Sequence, residues 1–137
     1  MSLEKFGKVN FVGEAKIHDF MRFLEDGKIA GTRCKKCKKL YFPPRADCES
    51  CLSTEMEWVT LSDKCKLITY TNVHFAPPRF RYDCPYLIAL AQFEKGLRVF
   101  APLSKKIKED EIKIGMDLKL TVTKLIGDRI IYELRKP

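Results

Sequence analysis

Histidine is almost missing: His18 and His74 are the only two in 137 residues. A catalyst built on an imidazole general base has little to draw on here. His18 falls on the polar side of a helical pattern, near its start, where solvent exposure is expected. His74 ends a β-rich run beside Phe75-Ala76-Pro77-Pro78, where a half-buried strand histidine bonded to backbone is expected. The chain also lacks a P-loop, a dinucleotide glycine fingerprint and a Ser/His/Asp order, so an independent enzyme is not the expectation. No apolar run approaches the roughly 18 residues of a membrane span. Met1-Ser2-Leu3-Glu4-Lys5-Phe6-Gly7 has no apolar signal-peptide core, and a cytoplasmic protein is expected.

What is present is cysteine, in a pattern. Cys34-Lys35-Lys36-Cys37 and Cys48-Glu49-Ser50-Cys51 are two Cys-x-x-Cys pairs in close succession. Each pair suits a tight turn, so that four sulfurs converge on one tetrahedral Zn²⁺ while backbone N–H groups stabilise the thiolates. Four cysteines leave no open position for water, so the metal is expected to fold the segment rather than perform chemistry. Disulfides or thioredoxin-like redox pairs are the competing readings, and the second would require a βαβ pattern that this region does not show. Cys65 and Cys84 are expected to be small core fillers rather than a disulfide.

The net charge of +8 suits a polyanionic partner: nucleic acid, a phosphorylated cofactor or an acidic protein. Arg33, Lys35, Lys36, Lys38, Lys39 and Arg45 crowd the first cysteine pair, where solvation and compensation of a doubly negative Zn(Cys)₄ centre account for them as readily as ligand binding. Arg79 and Arg81 interleave with Phe75, Phe80 and Tyr82.

Hydrophobic spacing divides the chain. Ile17, Phe20, Phe23 and Leu24 recur at helical intervals between Lys16 and Asp26, with Gly27 as a stop. Short strands are expected at Lys28–Arg33, Lys39–Phe42 and Met56–Leu61, with Phe42-Pro43-Pro44-Arg45 as a stiff loop between the cysteine pairs. From Lys64 the pattern is all-β: a run through Leu67–Phe75, then Tyr86–Phe93, Arg98–Leu103, Asp117–Leu125 and Arg129–Leu134. Turns are expected at Gly96 and Gly127-Asp128, and a polar connection, with a short helical turn within 105–111, at Ser104–Gly115. The fold class expected is therefore mainly β: an N-terminal helical segment over 1–27, a rubredoxin-like zinc ribbon over 28–61 and a five-stranded OB-fold barrel over 62–137. Two functions suit such a surface. One is single-stranded nucleic-acid binding; the other is recognition of a phosphorylated small molecule together with a protein partner, with Phe42 or Phe75 packing on its adenine or pantetheine. The residue types they need coincide.

The order of motifs separates them. Gly31-Thr32-Arg33-Cys34-Lys35-Lys36-Cys37, Tyr41-Phe42-Pro43-Pro44-Arg45, Cys48-Glu49-Ser50-Cys51, Trp58 with Leu61-Ser62, Tyr70-Thr71-Asn72-Val73-His74, Pro85–Leu90 and Ile114-Gly115-Met116 together resemble the DUF35 family of zinc-ribbon plus OB-fold proteins associated with acyl-CoA enzymes. The resemblance spans about residues 16–135. It implies a non-catalytic partner of thiolase-superfamily enzymes. In its archaeal form it implies a scaffold that joins acetoacetyl-CoA thiolase to HMG-CoA synthase and helps to hold coenzyme A, so that acetoacetyl-CoA passes between them in the mevalonate route to isoprenoids. Cys34, Cys37, Cys48 and Cys51 fall on the family's metal positions. Cys65 stands where a turn glycine is expected before the first barrel strand, and Lys38 stands where many ribbons have glycine. The physical choices for coenzyme A contacts are Arg45, Phe75, Pro77, Arg79 and Arg81, which combine fixed loops, aromatic faces and phosphate-pairing donors.

Overall fold

In a computed structural model, residues 6–8 and 17–137 are described. Helix α1 spans Asp19–Glu25, shorter than the spacing suggests: residues 17 and 18 form a turn, and Lys16 lies outside the described residues. It ends as its sequence dictates. Gly27 adopts φ 74°, the Gly27 N–H reaches the Leu24 carbonyl at 2.9 Å and the Lys28 N–H reaches the Phe23 carbonyl at 2.8 Å. These two bonds close a Schellman motif, for which a left-handed glycine is the ordinary solution. Phe20, Met21 and Leu24 are buried, and Phe23 packs on Trp58 with ring centroids 5.1 Å apart.

Three short strands follow: β1 (Ala30–Cys34), β2 (Leu40–Tyr41) and β3 (Met56–Thr60), in the antiparallel order β2-β1-β3. Gly31 is required here by contact rather than by φ. A Cβ at this position would stand 2.2 Å from the Tyr41 carbonyl oxygen.

The second sheet contains β4 (Lys64–Val73), β5 (Tyr86–Gln92), β6 (Arg98–Pro102), β7 (Asp117–Leu125) and β8 (Arg129–Arg135), in the order β6-β5-β4-β7-β8. Alternation of buried and exposed positions in β4, β6 and β7 puts Cys65, Leu67, Val99, Ala101, Leu118 and Leu120 inside. The two edges approach where Leu103 bridges Leu134 and the Ser104 N–H donates to the Leu134 carbonyl at 2.8 Å, giving the nearly closed five-stranded barrel of an OB-fold. A short 3₁₀ turn at Glu109–Glu111 lies in the β6–β7 connection, within the stretch where a helical turn is expected.

One hydrophobic core joins these parts: α1 supplies Phe20, Met21 and Leu24, the lead into β1 supplies Ile29, the ribbon loop supplies Phe42, and the barrel with its β6–β7 connection supplies the rest. Phe6 joins from the N-terminal side, bridging Ile130 and packing on Phe20 and Tyr132. Among the described residues no helix is long and apolar enough to cross a membrane.

Three expectations change. Cys65 is not in a turn but in β4, buried, with its thiol 3.5 Å from the Leu118 carbonyl, because the strand begins at Lys64. Cys84 lies half-buried in a loop, its sulfur 3.7 Å from the Phe80 carbonyl, and is no core filler. His74 lies past the end of β4 and is exposed, since the chain leaves the sheet at Val73.

Candidate metal centre and barrel-seam cleft

The two cysteine pairs fold into matching turns. The Lys38 N–H donates to the Cys34 carbonyl at 3.0 Å, and the Leu52 N–H donates to the Cys48 carbonyl at 3.1 Å. The Cys34 N–H donates to the Lys39 carbonyl and the Cys48 N–H to the Ser53 carbonyl, each at 2.9 Å. The residue after each pair, Lys38 or Leu52, has positive φ, 64° and 59°. This is the position where many ribbons use glycine, and here two L-residues occupy it.

The turns face one another. All four sulfurs lie within 4.8 Å of each other, with Cys34 Sγ to Cys51 Sγ and Cys37 Sγ to Cys48 Sγ both 3.4 Å. Zn–S bonds of about 2.3 Å in a tetrahedron set sulfurs about 3.8 Å apart, so this set fits the ion with a slight outward movement of two pairs. The first cysteine of each turn is buried and the second exposed. The buried pair is the more acidic. The Cys48 thiol is held down to about 6, first by the Tyr41 hydroxyl and then by the Cys51 N–H, while the Cys37 N–H leads in lowering Cys34. Cys37 is pushed up to about 11: the Lys39 N–H opposes the shift, but the proton shared with Cys48 and burial outweigh it.

The Phe42–Arg45 loop is clamped by Thr32, which is buried. Its hydroxyl donates to the Arg45 carbonyl at 2.9 Å and accepts the Arg45 N–H at 2.8 Å. Phe42 therefore projects inward, against Phe20 and Tyr132, and is 6% exposed. That removes Phe42 from any ligand contact. Arg45 projects outward, 3.5 Å from the Glu49 carboxylate and with its guanidinium 5.5 Å from the Tyr41 ring centroid. Arg33 and Lys39 are likewise paired, with Glu57 at 2.7 Å and Glu49 at 2.5 Å.

A separate cleft of about 810 Å³ opens along the seam between β6 and β8. This is within the range of ligand pockets, roughly 300–1,000 Å³. Phe80, Tyr86, Ile88, Phe100, Leu125, Ile131 and Tyr132 give it apolar walls, and Lys8, Arg79, Lys105, Lys106 and Arg135 outnumber Asp83 and Glu133 around it. Asp83 pairs with Lys8 and lies 3.9 Å from Lys105, while Arg135 holds Glu133 at 2.8 Å. Burial and the nearby Lys105 lower the Lys8 ammonium from its ordinary value.

The residues chosen from sequence are thus divided. Arg79 lines the cleft; Arg45 stands on the ribbon; Phe75 is 97% exposed on its loop, where Pro77 is exposed too. Arg81 stacks on Tyr82 at 4.8 Å and donates to its hydroxyl at 2.7 Å. Lys8, Lys105, Lys106 and Arg135 carry no signal in the sequence, because they come together only where the barrel edges meet and Phe6 bridges Ile130.

Comparison with known proteins agrees with this architecture. The ChsH2 rubredoxin-like zinc ribbon domain matches residues 23–57, and the ChsH2 C-terminal OB-fold domain matches residues 58–123. A DUF35 domain-containing scaffold protein of Methanocaldococcus jannaschii is 37% identical over 101 residues, covering 73% of this chain and 71% of that protein. The benzoylsuccinyl-CoA thiolase subunit BbsA of Thauera aromatica is 33% identical over 126 residues, covering 86% and 85%. The fold matches the solved Ltp2-ChsH2(DUF35) aldolase with a TM-score of 0.76 and 24% identity, over 93% of this chain and 98% of that one. With ribbon, barrel and motif order all in agreement, the chain belongs to the DUF35 family.

Proposed function

We propose that this chain is a non-catalytic subunit of a thiolase-type acyl-CoA enzyme complex. The observation that carries the reading is its identity, across ribbon and barrel together, to a relative named as a thiolase subunit, alongside relatives named as scaffold proteins. One structural zinc ion held by Cys34, Cys37, Cys48 and Cys51 stabilises the ribbon, and so fixes the loop that sends Phe42 into the shared core. The two enzymes it joins are acetoacetyl-CoA thiolase and HMG-CoA synthase, in the mevalonate route, the role that the archaeal resemblance implies.

Coenzyme A is the shared ligand in this proposal. The seam cleft suits it: apolar walls for the pantetheine arm, and Arg79, Lys105 and Lys106 for phosphate. A lost charge-assisted contact to phosphate weakens binding by about tenfold. The test compares thiolase turnover and coenzyme A affinity with and without this subunit, using wild type, Arg79→Ala and Arg45→Ala. The expected result is tighter coenzyme A binding in the complex, weakened by Arg79→Ala, and no turnover by the isolated chain. Turnover by the chain alone, or thiolase behaviour indifferent to it, contradicts the proposal.

A second reading, single-stranded nucleic-acid binding, draws on the exposure of Phe75 at 97% and Tyr82 at 85% beside Arg81. It predicts affinity for oligonucleotides that falls steeply with salt and rises with strand length.

A further inference from the structure

We infer that Tyr41 is a positioning residue of the metal centre: its hydroxyl donates a hydrogen bond to the Cys48 sulfur and holds that cysteine as a metal-bound thiolate. The inference rests on the zinc reading above. Tyr41 is 7% exposed, and its hydroxyl oxygen lies 3.2 Å from Cys48 Sγ. The same oxygen accepts the Glu49 N–H at 3.1 Å. A metal-bound sulfur carries no proton, so the hydroxyl hydrogen is the only one available to that contact. The donor is therefore the tyrosine.

The surroundings fix the ring. Lys39 Nζ and the Arg45 guanidinium each lie 5.5 Å from its centroid, and both reach the Glu49 carboxylate, at 2.5 Å and 3.5 Å. This Lys39–Glu49–Arg45 clasp brings two cations beside a doubly negative Zn(Cys)₄ centre and ties the ring to the turn that carries Cys48. The arrangement gives Arg45 a task within the chain. It also separates the four ligands: Cys48 has a side-chain O–H donor among the described residues, whereas the contacts to Cys34 Sγ come from Cys37 N–H and Cys51 Sγ. Donation to a thiolate draws charge off the sulfur, makes it a poorer base for competing protons and slows its departure from the metal.

The test measures zinc transfer from the full-length, zinc-loaded chain to a colorimetric chelator. Tyr41→Phe keeps the ring and its cation contacts and removes the hydroxyl, with its bonds to both Cys48 Sγ and the Glu49 N–H; it is expected to release zinc about tenfold faster or more. A rate equal to that of the wild type overturns the inference. A wild-type chain that holds no zinc overturns the underlying zinc reading instead, which keeps the two failures distinct. If Tyr41→Phe does not fold, the cadmium-loaded wild type decides by NMR with a spin-active cadmium isotope. A scalar coupling between the metal and the Tyr41 hydroxyl proton, carried through Cys48 Sγ, is the expected result, and its absence with the other ligand couplings present overturns the inference.

Discussion

Phe42 and Tyr132 meet with ring centroids 5.2 Å apart and planes at 64°, so a loop between the two cysteine turns and the last barrel strand share one core. Removing the Phe42 ring leaves Phe20 and Tyr132 facing a void. Phe42→Ala is expected to destabilise the protein by about 3–5 kcal/mol in denaturant unfolding. Phe75→Ala, by contrast, removes a ring that is 97% exposed and is expected to change stability by no more than about 0.5 kcal/mol.

Gly31 packs against the Tyr41 backbone with no room for a methyl group. Gly31→Ala forces β1 and β2 apart, and these strands carry Cys34 and Tyr41. A loss of about 1–3 kcal/mol is expected, together with faster zinc release to a chelator. Unchanged melting and unchanged metal retention would show that the two strands are less tightly matched than this contact requires.

Burial in β4, with a smaller effect from Asp63, pushes the Cys65 thiol from its ordinary 9.0 up to about 11. Below pH 9 the thiol is neutral in both folded and unfolded chains. Between 9 and about 11 only the unfolded chain gives up the proton, so stability falls as pH rises through that window, by on the order of 2–3 kcal/mol from this group. Unfolding under reductant across this range is expected to show a shallower decline for Cys65→Ala than for wild type. Parallel curves would contradict the assignment.

Features governed by local chemistry were legible in the sequence. Four cysteines at ribbon spacing specify their own turns, and alternating apolar residues specify β6 and β7 to within a residue. The Gly27 stop is equally local, because its left-handed φ follows from the need to cap α1. Side-chain direction in loops was not legible. Phe42 and Arg45 sit three residues apart, and only the Thr32 clamp and the approach of α1 and β8 decide that one turns inward and the other outward. The seam cleft was hidden for the same reason: its walls come from separate strands, and its cations Lys8, Arg79 and Lys106 are distant in sequence. His74 was misplaced because β propensity continues through Phe75, whereas pairing with β5 stops at Val73.

In the function proposed above, this chain works by assembling with a thiolase-type enzyme. Light scattering on a size-exclusion column, with the zinc-loaded chain and a thiolase from the same source, tests it most directly. A single co-eluting species of fixed stoichiometry, in which the chain adds no turnover of its own, is the predicted result. Separate elution of the two proteins, with coenzyme A present as well as absent, would contradict it.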